Sequence, residues 1–130
     1  AGPSGCGKST LLKQLKPSLA PFGTVSGGVK FMGKPVDGLD LRSESREIGF
    51  VMQDPEMQIV TDKVYHELAF GLESLGTGVT EMRVRIAETA NFFGIGKWME
   101  SDTASLSGGQ KQLLCLAAVT AMQPRLLLLD

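Results

Sequence analysis

The pattern of apolar and polar residues along the chain predicts short strands on either side of a helical block. Apolar positions spaced for one buried helical face occur over residues 8–15, and Pro17 ends this first helix. Residues 29–32 and 48–53 are short apolar stretches bracketed by turn residues, which is typical of strands. The apolar run at 125–130 predicts a strand that is covered on both faces of a parallel sheet.

The segment between the last two predicted strands has helical spacing. Apolar residues recur at helical intervals over 61–75, a second helix begins at Thr80 as its N-cap, and a third covers 108–122 before Pro124. The order of strands, helices and a final strand predicts an α/β fold in which residues 54–124 form a helical insertion.

Composition and charge narrow the class of protein. With 130 residues, of which 42% are hydrophobic and 21% charged, the chain suits one globular domain. The formal net charge of −1 gives no reason to expect nucleic acid or an anionic membrane surface as a partner. Cys6 lies in a glycine-rich loop and Cys115 in a predicted helix, so we expect no disulfide and a reduced cytoplasmic setting. The longest near-apolar run, 113–122, is shorter than the roughly 20 residues that cross a bilayer.

The chain opens on a phosphate-binding pattern. Residues 2–9, Gly-Pro-Ser-Gly-Cys-Gly-Lys-Ser, fit G-x-x-x-x-G-K-[ST] at every fixed position. Glycines let backbone N–H groups approach a polyphosphate, and the helix that starts near Lys8 adds the positive end of its dipole. Lys8 would reach the β- and γ-phosphates, and the Ser9 hydroxyl would be a ligand of Mg²⁺; the alternative is a glycine-rich turn before a helix. The nucleotide contacts expected here come from Ser4, Gly5, Cys6, Gly7, Lys8, Ser9 and Thr10.

Residues 106–110, Leu-Ser-Gly-Gly-Gln, stand directly before the last predicted helix. Ser107 and the glycines would leave the N-terminus of that helix open to an anion, whereas the alternative is an ordinary helix N-cap. With this motif the chain resembles the nucleotide-binding subunits of ABC transporters, in which Leu-Ser-Gly-Gly-Gln is the signature sequence. The resemblance implies that Ser107, Gly109 and Gln110 face an ATP molecule bound by a second ATPase subunit, with two ATP molecules held between the two subunits.

Two further residues fit the same resemblance. Gln53 ends a predicted strand and matches the Q-loop glutamine, which implies contact with Mg²⁺ or the attacking water. Asp130 follows the final apolar strand and matches the Walker B aspartate, which is placed to hold Mg²⁺; an aspartate that merely ends a strand is the alternative. The implied architecture is a P-loop NTPase (RecA-like) core, formed by residues 1–53 and 125–130, with an inserted ABC-type helical subdomain over residues 54–124.

The resemblance also implies a reaction, phosphoryl transfer from ATP to water. Lys8 and Mg²⁺ would neutralise the γ-phosphate, Ser107 would act in trans, and the glutamate after the Walker B aspartate would be the general base. The chain begins inside the first motif and stops at Asp130, so we expect a partial nucleotide-binding domain, incomplete at both ends. As a free polypeptide it is expected to bind ATP weakly and to hydrolyse almost none. His66 is not expected to be the family's switch histidine, which follows the Walker B motif.

The stretch after Gln53 indicates a subgroup. Residues 54–76, DPEMQIVTDKVYHELAFGLESLG, resemble the ATPase subunits of energy-coupling factor (ECF) transporters, which import vitamins and transition-metal ions. That resemblance implies two ATPase subunits, identical or paralogous, docked at the cytoplasmic face of the membrane on a transmembrane T component, which carries a substrate-binding S component. The docking surface would lie between residues 54 and 73; ordinary solvated side chains are the alternative. Its contacts are expected at Glu56, Gln58, Asp62 and Tyr65.

Other functions stay open at this point. One is a P-loop enzyme of another class, such as a small-molecule kinase, against which the signature motif and Gln53 argue. Another is an ABC ATPase of a different transporter class, or one that works outside transport in DNA repair or translation. A third is a degenerate subunit that binds ATP without cleaving it, and a non-acidic residue at the position after Asp130 would favour that function.

Overall fold

The computed structural model describes residues 2–130 of the protein as helices packed beside a short parallel pair of strands. The α-helices are α1 (Lys8–Gln14), α2 (Leu41–Glu47), α3 (Val64–Ser74), α4 (Val79–Phe92) and α5 (Gly108–Ala121). The strands are β1 (Lys30–Phe31), β2 (Lys34–Pro35), β3 (Ile48–Val51) and β4 (Leu126–Leu129), and the first two form an antiparallel hairpin. Short 3₁₀ helices cover Pro17–Leu19, Val36–Gly38, Pro55–Met57, Gly96–Trp98 and Thr103–Ser105. Within the described residues, no helix has both the length and the apolar character needed to span a bilayer.

Strands β3 and β4 pair in parallel, with Ile48 opposite Leu126 and Phe50 opposite Leu128. Ile48, Phe50 and Leu128 are buried together, and leucines of α1 and of the turn after it pack against them. The prediction that the 125–130 strand is covered on both faces is wrong within the described chain. Leu128 is 6% exposed within the cluster that the leucines of α1 cover, whereas Leu129 is 57% exposed; on its face of the sheet Val119 of α5 lies close to Gly49 but leaves Leu129 open.

The larger hydrophobic core lies between α3, α4 and α5. Helical spacing predicted the apolar stripe of α3 correctly, since every member of that stripe on α3 and its C-cap is buried. These residues are Val64, Leu68, Leu72 and Leu75. Met82 and Ile86 of α4 and Leu114 of α5 close the core from the other sides. The helical block therefore has an interior separate from the small cluster around β3 and β4.

Helix α3 begins at Val64, not at Thr61 as its apolar pattern predicts. The preceding residues are held in an extended conformation, because Lys63 forms an isolated antiparallel bridge with Asp102. The backbone N–H of Val64 also donates to the carbonyl of Ser101 at 3.2 Å. Tertiary pairing with the segment before α5 thus delays the start of the helix.

Helix α4, in contrast, begins earlier than predicted. Its N-cap is Gly78 and its first residue is Val79, so the prediction of Thr80 as the N-cap is wrong. Gly76, with a φ of +73°, turns the chain sharply after α3, which lets the new helix start at once. The backbone N–H of Met82 then donates to the Gly78 carbonyl at 2.8 Å as the first helical hydrogen bond.

Candidate functional site

The glycine-rich loop at the start of α1 has the backbone conformation that its sequence requires. Gly5 has a φ of +79° and Gly7 a φ of +89°, in the left-handed region that favours glycine. The backbone N–H of Cys6 donates to the Pro3 carbonyl at 3.3 Å, which closes a turn between them. Gly7 is the N-cap of α1 and supplies no side-chain cap, so the first N–H groups of the helix have no partner within it.

Lys8 lies folded back over this loop. Its Nζ donates to the carbonyl of Gly2 at 2.6 Å and to the carbonyl of Pro3 at 2.7 Å, and it lies 3.7 Å from the Sγ of Cys6. Among residues 2–130 no carboxylate forms an ion pair with it. Carbonyl dipoles alone balance this ammonium group, so an anionic ligand at the loop would be a stronger partner for it.

The hydroxyl of Ser9 and the carboxylate of Asp130 meet beside the loop. Ser9 Oγ donates to Asp130 Oδ1 at 2.7 Å. Asp130 is fixed in turn by its backbone N–H, which donates to the carbonyl of Val51 at 3.0 Å and continues the pairing of β4 with β3. Carboxyl ends of parallel strands lie at one edge of a sheet, where P-loop proteins bind their ligands.

A cavity of about 460 Å³ opens at this edge. It brings together residues of three predicted motifs: the glycine-rich loop, the strand-end glutamine and the final aspartate. Its lining consists of Ser4, Gly5, Gly7, Lys8, Ser9, Thr10, Gln53 and Asp130. Cys6, also predicted to contact nucleotide, is not part of this lining. The cavity combines backbone N–H groups, one ammonium group and oxygen donors, which suits a polyphosphate with a bound cation.

The oxygen donors in this cavity fit Mg²⁺. Mg²⁺ is held in proteins by few direct oxygen ligands, together with water and substrate phosphates. Ser9 Oγ and Asp130 Oδ1 already lie in contact, and the amide of Gln53 lies on the same cavity wall. Within residues 2–130 no group of three or more His, Cys, Asp or Glu side chains forms an all-protein cage. Ser9, Asp130 and Gln53 together offer the few oxygen ligands that suit Mg²⁺.

The signature residues lie outside this cavity, at the start of α5. Ser107 is the N-cap: its Oγ accepts from the backbone N–H of Gln110 at 3.3 Å, and its own N–H donates to Gln110 Oε1 at 2.8 Å. The helix start therefore carries a reciprocal capping box, as the alternative of an ordinary N-cap requires, while contact of this helix start with an anion stays a prediction. Gly108 and Gly109 are exposed, and a Cβ at either position would meet only open space.

Two side chains of the loop after Gln53, those of Gln58 and Glu56, bond to neighbouring elements. The side chain of Gln58 accepts from the backbone N–H of Met52 at 2.8 Å and donates to the carbonyl of Phe50 at 3.0 Å. Because this amide is engaged internally, the prediction of Gln58 as a partner contact is not supported by its placement. Glu56 forms an ion pair with Lys111 of α5, so it links the loop to the helix that follows the signature.

The other two residues of the predicted docking surface are on α3 or just before it. Asp62 lies 3.1 Å from Nδ1 of His66, and this hydrogen bond holds the pKa of the Asp62 carboxyl below its usual value. Tyr65 is half-buried against the helical core. Sequence reasoning missed two buried polar residues nearby, Glu67 and Thr103. The sequence offered one indication of the buried carboxylate, because Glu67 stands directly before Leu68 of the apolar stripe of α3.

A glycine-rich loop that leads into a helix beside the carboxyl ends of parallel strands defines the P-loop NTPase fold, and solved ABC ATPases share that fold with this chain. The family model for ABC transporters matches residues 1–130, and the chain belongs to this family. A Bacillus cereus protein described as an ABC transporter ATP-binding protein is 47% identical over 130 residues, which are 100% of this chain and 24% of that protein. A Methanosarcina acetivorans protein of the same description is 40% identical over 133 residues, covering 100% of this chain and 22% of that protein.

Solved structures are similar along the whole chain. CbiO1 from Clostridium perfringens, part of the ABC transporter complex CbiONQ, superimposes with a TM-score of 0.82 at 33% identity, covering 99% of this chain and 51% of that one. A second solved structure, an ATP-binding subunit of an ABC transporter, has a TM-score of 0.79 at 21% identity and shows the likeness of fold alone. The chain spans about a quarter of the length of the curated relatives it matches.

Proposed function

We propose that this chain supplies the phosphate- and Mg²⁺-binding part of an ATPase that hydrolyses ATP to drive transport. The observation that carries the proposal is the contact between Ser9 and Asp130 in a cavity shared with Lys8 and Gln53. Motif residues from distant parts of the sequence converge there on one small volume. Membership of the ABC transporter family supports the same conclusion.

Each side chain has a chemical task in this proposal. Lys8 exchanges the carbonyls of Gly2 and Pro3 for phosphate oxygens, and the N–H groups at the start of α1 donate to the same phosphates. Ser9 and Asp130 hold Mg²⁺, which neutralises charge on the transferring phosphoryl group when it is bound. Gln53 orients the attacking water. Ser107 and Gly109 face the γ-phosphate of a second subunit, with Ser107 N–H and Oγ released from the capping box as they engage it.

We further propose an ECF-type importer of a vitamin or a transition-metal ion as the transporter. The stretch at 54–76 supports this proposal, and so does the likeness to CbiO1, part of the ABC transporter complex CbiONQ. Under this proposal the protein is peripheral at the cytoplasmic face of the membrane. A second ATPase subunit, a transmembrane T component and an S component are its partners, and the helical subdomain over 54–124 meets the T component.

The ATPase proposal is tested by phosphate release from the complete protein as the cell makes it, with Mg²⁺ and with EDTA. We expect Mg²⁺-dependent turnover that Lys8→Ala lowers by about 100-fold or more, since it removes a charge aimed at the transferring group. Lys34→Ala is the matched control, because Lys34 is an exposed lysine of β2 far from the motif in sequence. Turnover that Lys8→Ala leaves unchanged would contradict the proposal, and transfer of phosphate to a small-molecule acceptor would favour a kinase.

The ECF proposal is tested by co-purification with a co-expressed membrane component. Asp62→Ala and Tyr65→Ala are expected to reduce recovery of the complex while ATP affinity stays unchanged, because both residues lie away from the nucleotide cavity. Glu88→Ala on α4 is the control for removal of a charge elsewhere on the helical block. Equal recovery of all variants would place the docking surface elsewhere.

A further inference from the structure

Two of the buried polar side chains of the helical block, Glu67 and Thr103, contact the segment at residues 60–62. Glu67 of α3 and Thr103 of the 3₁₀ helix before the signature are each 6% exposed. Glu67 Oε2 accepts three hydrogen bonds: from the backbone N–H of Val60 at 3.2 Å, from the backbone N–H of Thr61 at 2.9 Å and from Thr61 Oγ1 at 2.7 Å. A carboxylate held in this way fixes the backbone around it firmly.

Thr103 completes the contact from the opposite side. Its Oγ1 donates to the carbonyl of Thr61 at 2.7 Å, and its backbone N–H donates to the carbonyl of Asp62 at 2.9 Å. Thr61 therefore accepts from Thr103 through its carbonyl and donates to Glu67 through its N–H and its hydroxyl. These three residues, which we call the 61–67–103 cluster, form one continuous hydrogen-bonded unit.

The cluster lies between the two functional motifs of the helical block. On one side, the chain runs from residue 60 back to Gln53 through the loop that Gln58 ties to β3. On the other side, the 3₁₀ helix Thr103–Ser105 leads directly into buried Leu106 and the capping residue Ser107. The Gln53 loop and the signature are thus joined by backbone that Glu67 and Thr103 hold together.

We propose that the 61–67–103 cluster positions the signature turn relative to the loop that follows Gln53. Its members are positioning residues: none lines the nucleotide cavity, and each acts through Ser107 or Gln53. The inference rests on the proposed ATPase function, since it assigns the cluster a part in that reaction. Loss of one bond leaves a buried partner unpaired, which loosens the turn without changing the P-loop.

The test compares Thr103→Val with Thr120→Val in the complete protein. Both changes remove a threonine hydroxyl that donates to a backbone carbonyl at 2.7 Å, but the Thr120 bond lies within α5 and outside the cluster. We expect Thr103→Val to lower kcat about fivefold while KM for ATP changes less than about twofold, because one buried hydrogen bond is lost. Thr103→Ser, which keeps the hydroxyl, should restore kcat, and Thr120→Val should leave it unchanged.

Two further measurements separate positioning from a loss of folded protein. In the Ser107→Ala background, Thr103→Val should have little additional effect on kcat, because the two changes disturb the same turn. Amide hydrogen exchange should be faster at residues 104–107 in nucleotide-free Thr103→Val than in wild type or Thr120→Val. This second readout does not depend on ATP turnover.

The outcomes distinguish the two proposals. Wild type without Mg²⁺-dependent turnover contradicts the ATPase function, while faster exchange at 104–107 in Thr103→Val would still support the cluster as the anchor of the turn. Wild type with normal turnover, but with kcat and exchange unchanged in Thr103→Val, overturns the inference and leaves the ATPase function standing. Additive losses in the Ser107→Ala background also overturn it.

Discussion

Ser9 and Asp130 are 121 residues apart in sequence, yet the Ser9 hydroxyl donates to the Asp130 carboxylate at 2.7 Å. One residue lies in the first turn of α1 and the other directly follows β4. The contact exists because β3 and β4 pair in parallel and carry Asp130 to the sheet edge where α1 begins. We therefore expect the proposed cation site to be sensitive to single changes at either residue.

Replacement of Asp130 by asparagine is expected to remove the advantage that Mg²⁺ gives to ATP binding. The amide oxygen still accepts from Ser9, so the fold is kept, but the negative charge that favours the cation is gone. We expect the affinity for ATP with Mg²⁺ to fall about 10- to 100-fold, as when a metal site loses a supporting group. Nucleotide titrations with Mg²⁺ and with EDTA measure this, with Asp37→Asn as control. An unchanged Mg²⁺ effect would exclude Asp130 from the cation site.

The two cysteines are expected to differ sharply toward thiol reagents. Cys6 is exposed in the P-loop, whereas burial, helped by the charge of Glu67, raises the pKa of the Cys115 thiol to about 11. Since the thiolate is the reactive form, mild alkylation should modify Cys6 alone and should block nucleotide binding. Mass spectrometry of the alkylated protein checks the site, and ATP should slow the reaction. Cys6→Ala should be insensitive, and early labelling of Cys115 would contradict the prediction.

Gly49 of β3 is expected to tolerate no side chain. A methyl group there would lie 2.5 Å from Cγ1 of Val119 and 2.9 Å from Cγ of Pro124. Gly49→Ala should therefore lower the free energy of unfolding by about 2 kcal/mol, as overpacking does in other cores. Gly71→Ala is the comparison, because its methyl would meet the flexible side chain of Met122 and alanine favours a helix, so we expect a loss below about 1 kcal/mol. Urea unfolding measures both, and equal losses would contradict the prediction.

The N-cap of α2 predicts a dependence of stability on pH. The backbone N–H of Ser43 and its hydroxyl donate to the Asp40 carboxylate, and these hydrogen bonds hold the pKa of Asp40 below its usual value. Because the folded-state pKa lies below the unfolded one, the stabilisation is complete above about pH 4 and is lost as pH falls through the folded-state pKa. Asp40→Ala should lower Tm at neutral pH but not at strongly acidic pH. Asp37→Ala is the control, and a pH-independent difference would argue against this cause.

Elements with strong apolar periodicity could be predicted from the sequence, whereas polar ones could not. We could predict α3 from the apolar stripe that runs from Val64 to Leu75, and β4 from the apolar run before Asp130. Burial of one helical face requires apolar residues at helical intervals, and a buried strand requires a short apolar run. Helix α2, Leu41–Glu47, has a single apolar residue and so carries no periodic signal. Its start depends on the Asp40 cap, which is a local hydrogen bond rather than a pattern of burial.

The residues of the candidate site also differ in whether they could be predicted from the sequence. Lys8 and Ser9 could be predicted because their spacing from the glycines fits a phosphate-binding pattern, whereas Gln53 and Asp130 were identified through the resemblance to ABC ATPases. The structure brings all four to one cavity. Thr103 could not be found, because its partner Thr61 is 42 residues away and their contact arises only when α3 and α5 pack together. Long-range pairing between isolated polar residues leaves no trace in a single sequence.

The side chain of Gln58 also occupies part of the open edge of β3. The Val51 carbonyl points toward β4, where it accepts from Asp130. The backbone groups of the adjacent residues Phe50 and Met52 therefore point to the opposite edge. Within residues 2–130 no strand pairs with that edge. The Gln58 amide fills that edge by accepting from one residue and donating to the other, as a neighbouring strand would. The Phe50 carbonyl and the Met52 N–H are therefore already engaged and are not open to strand addition by a foreign chain.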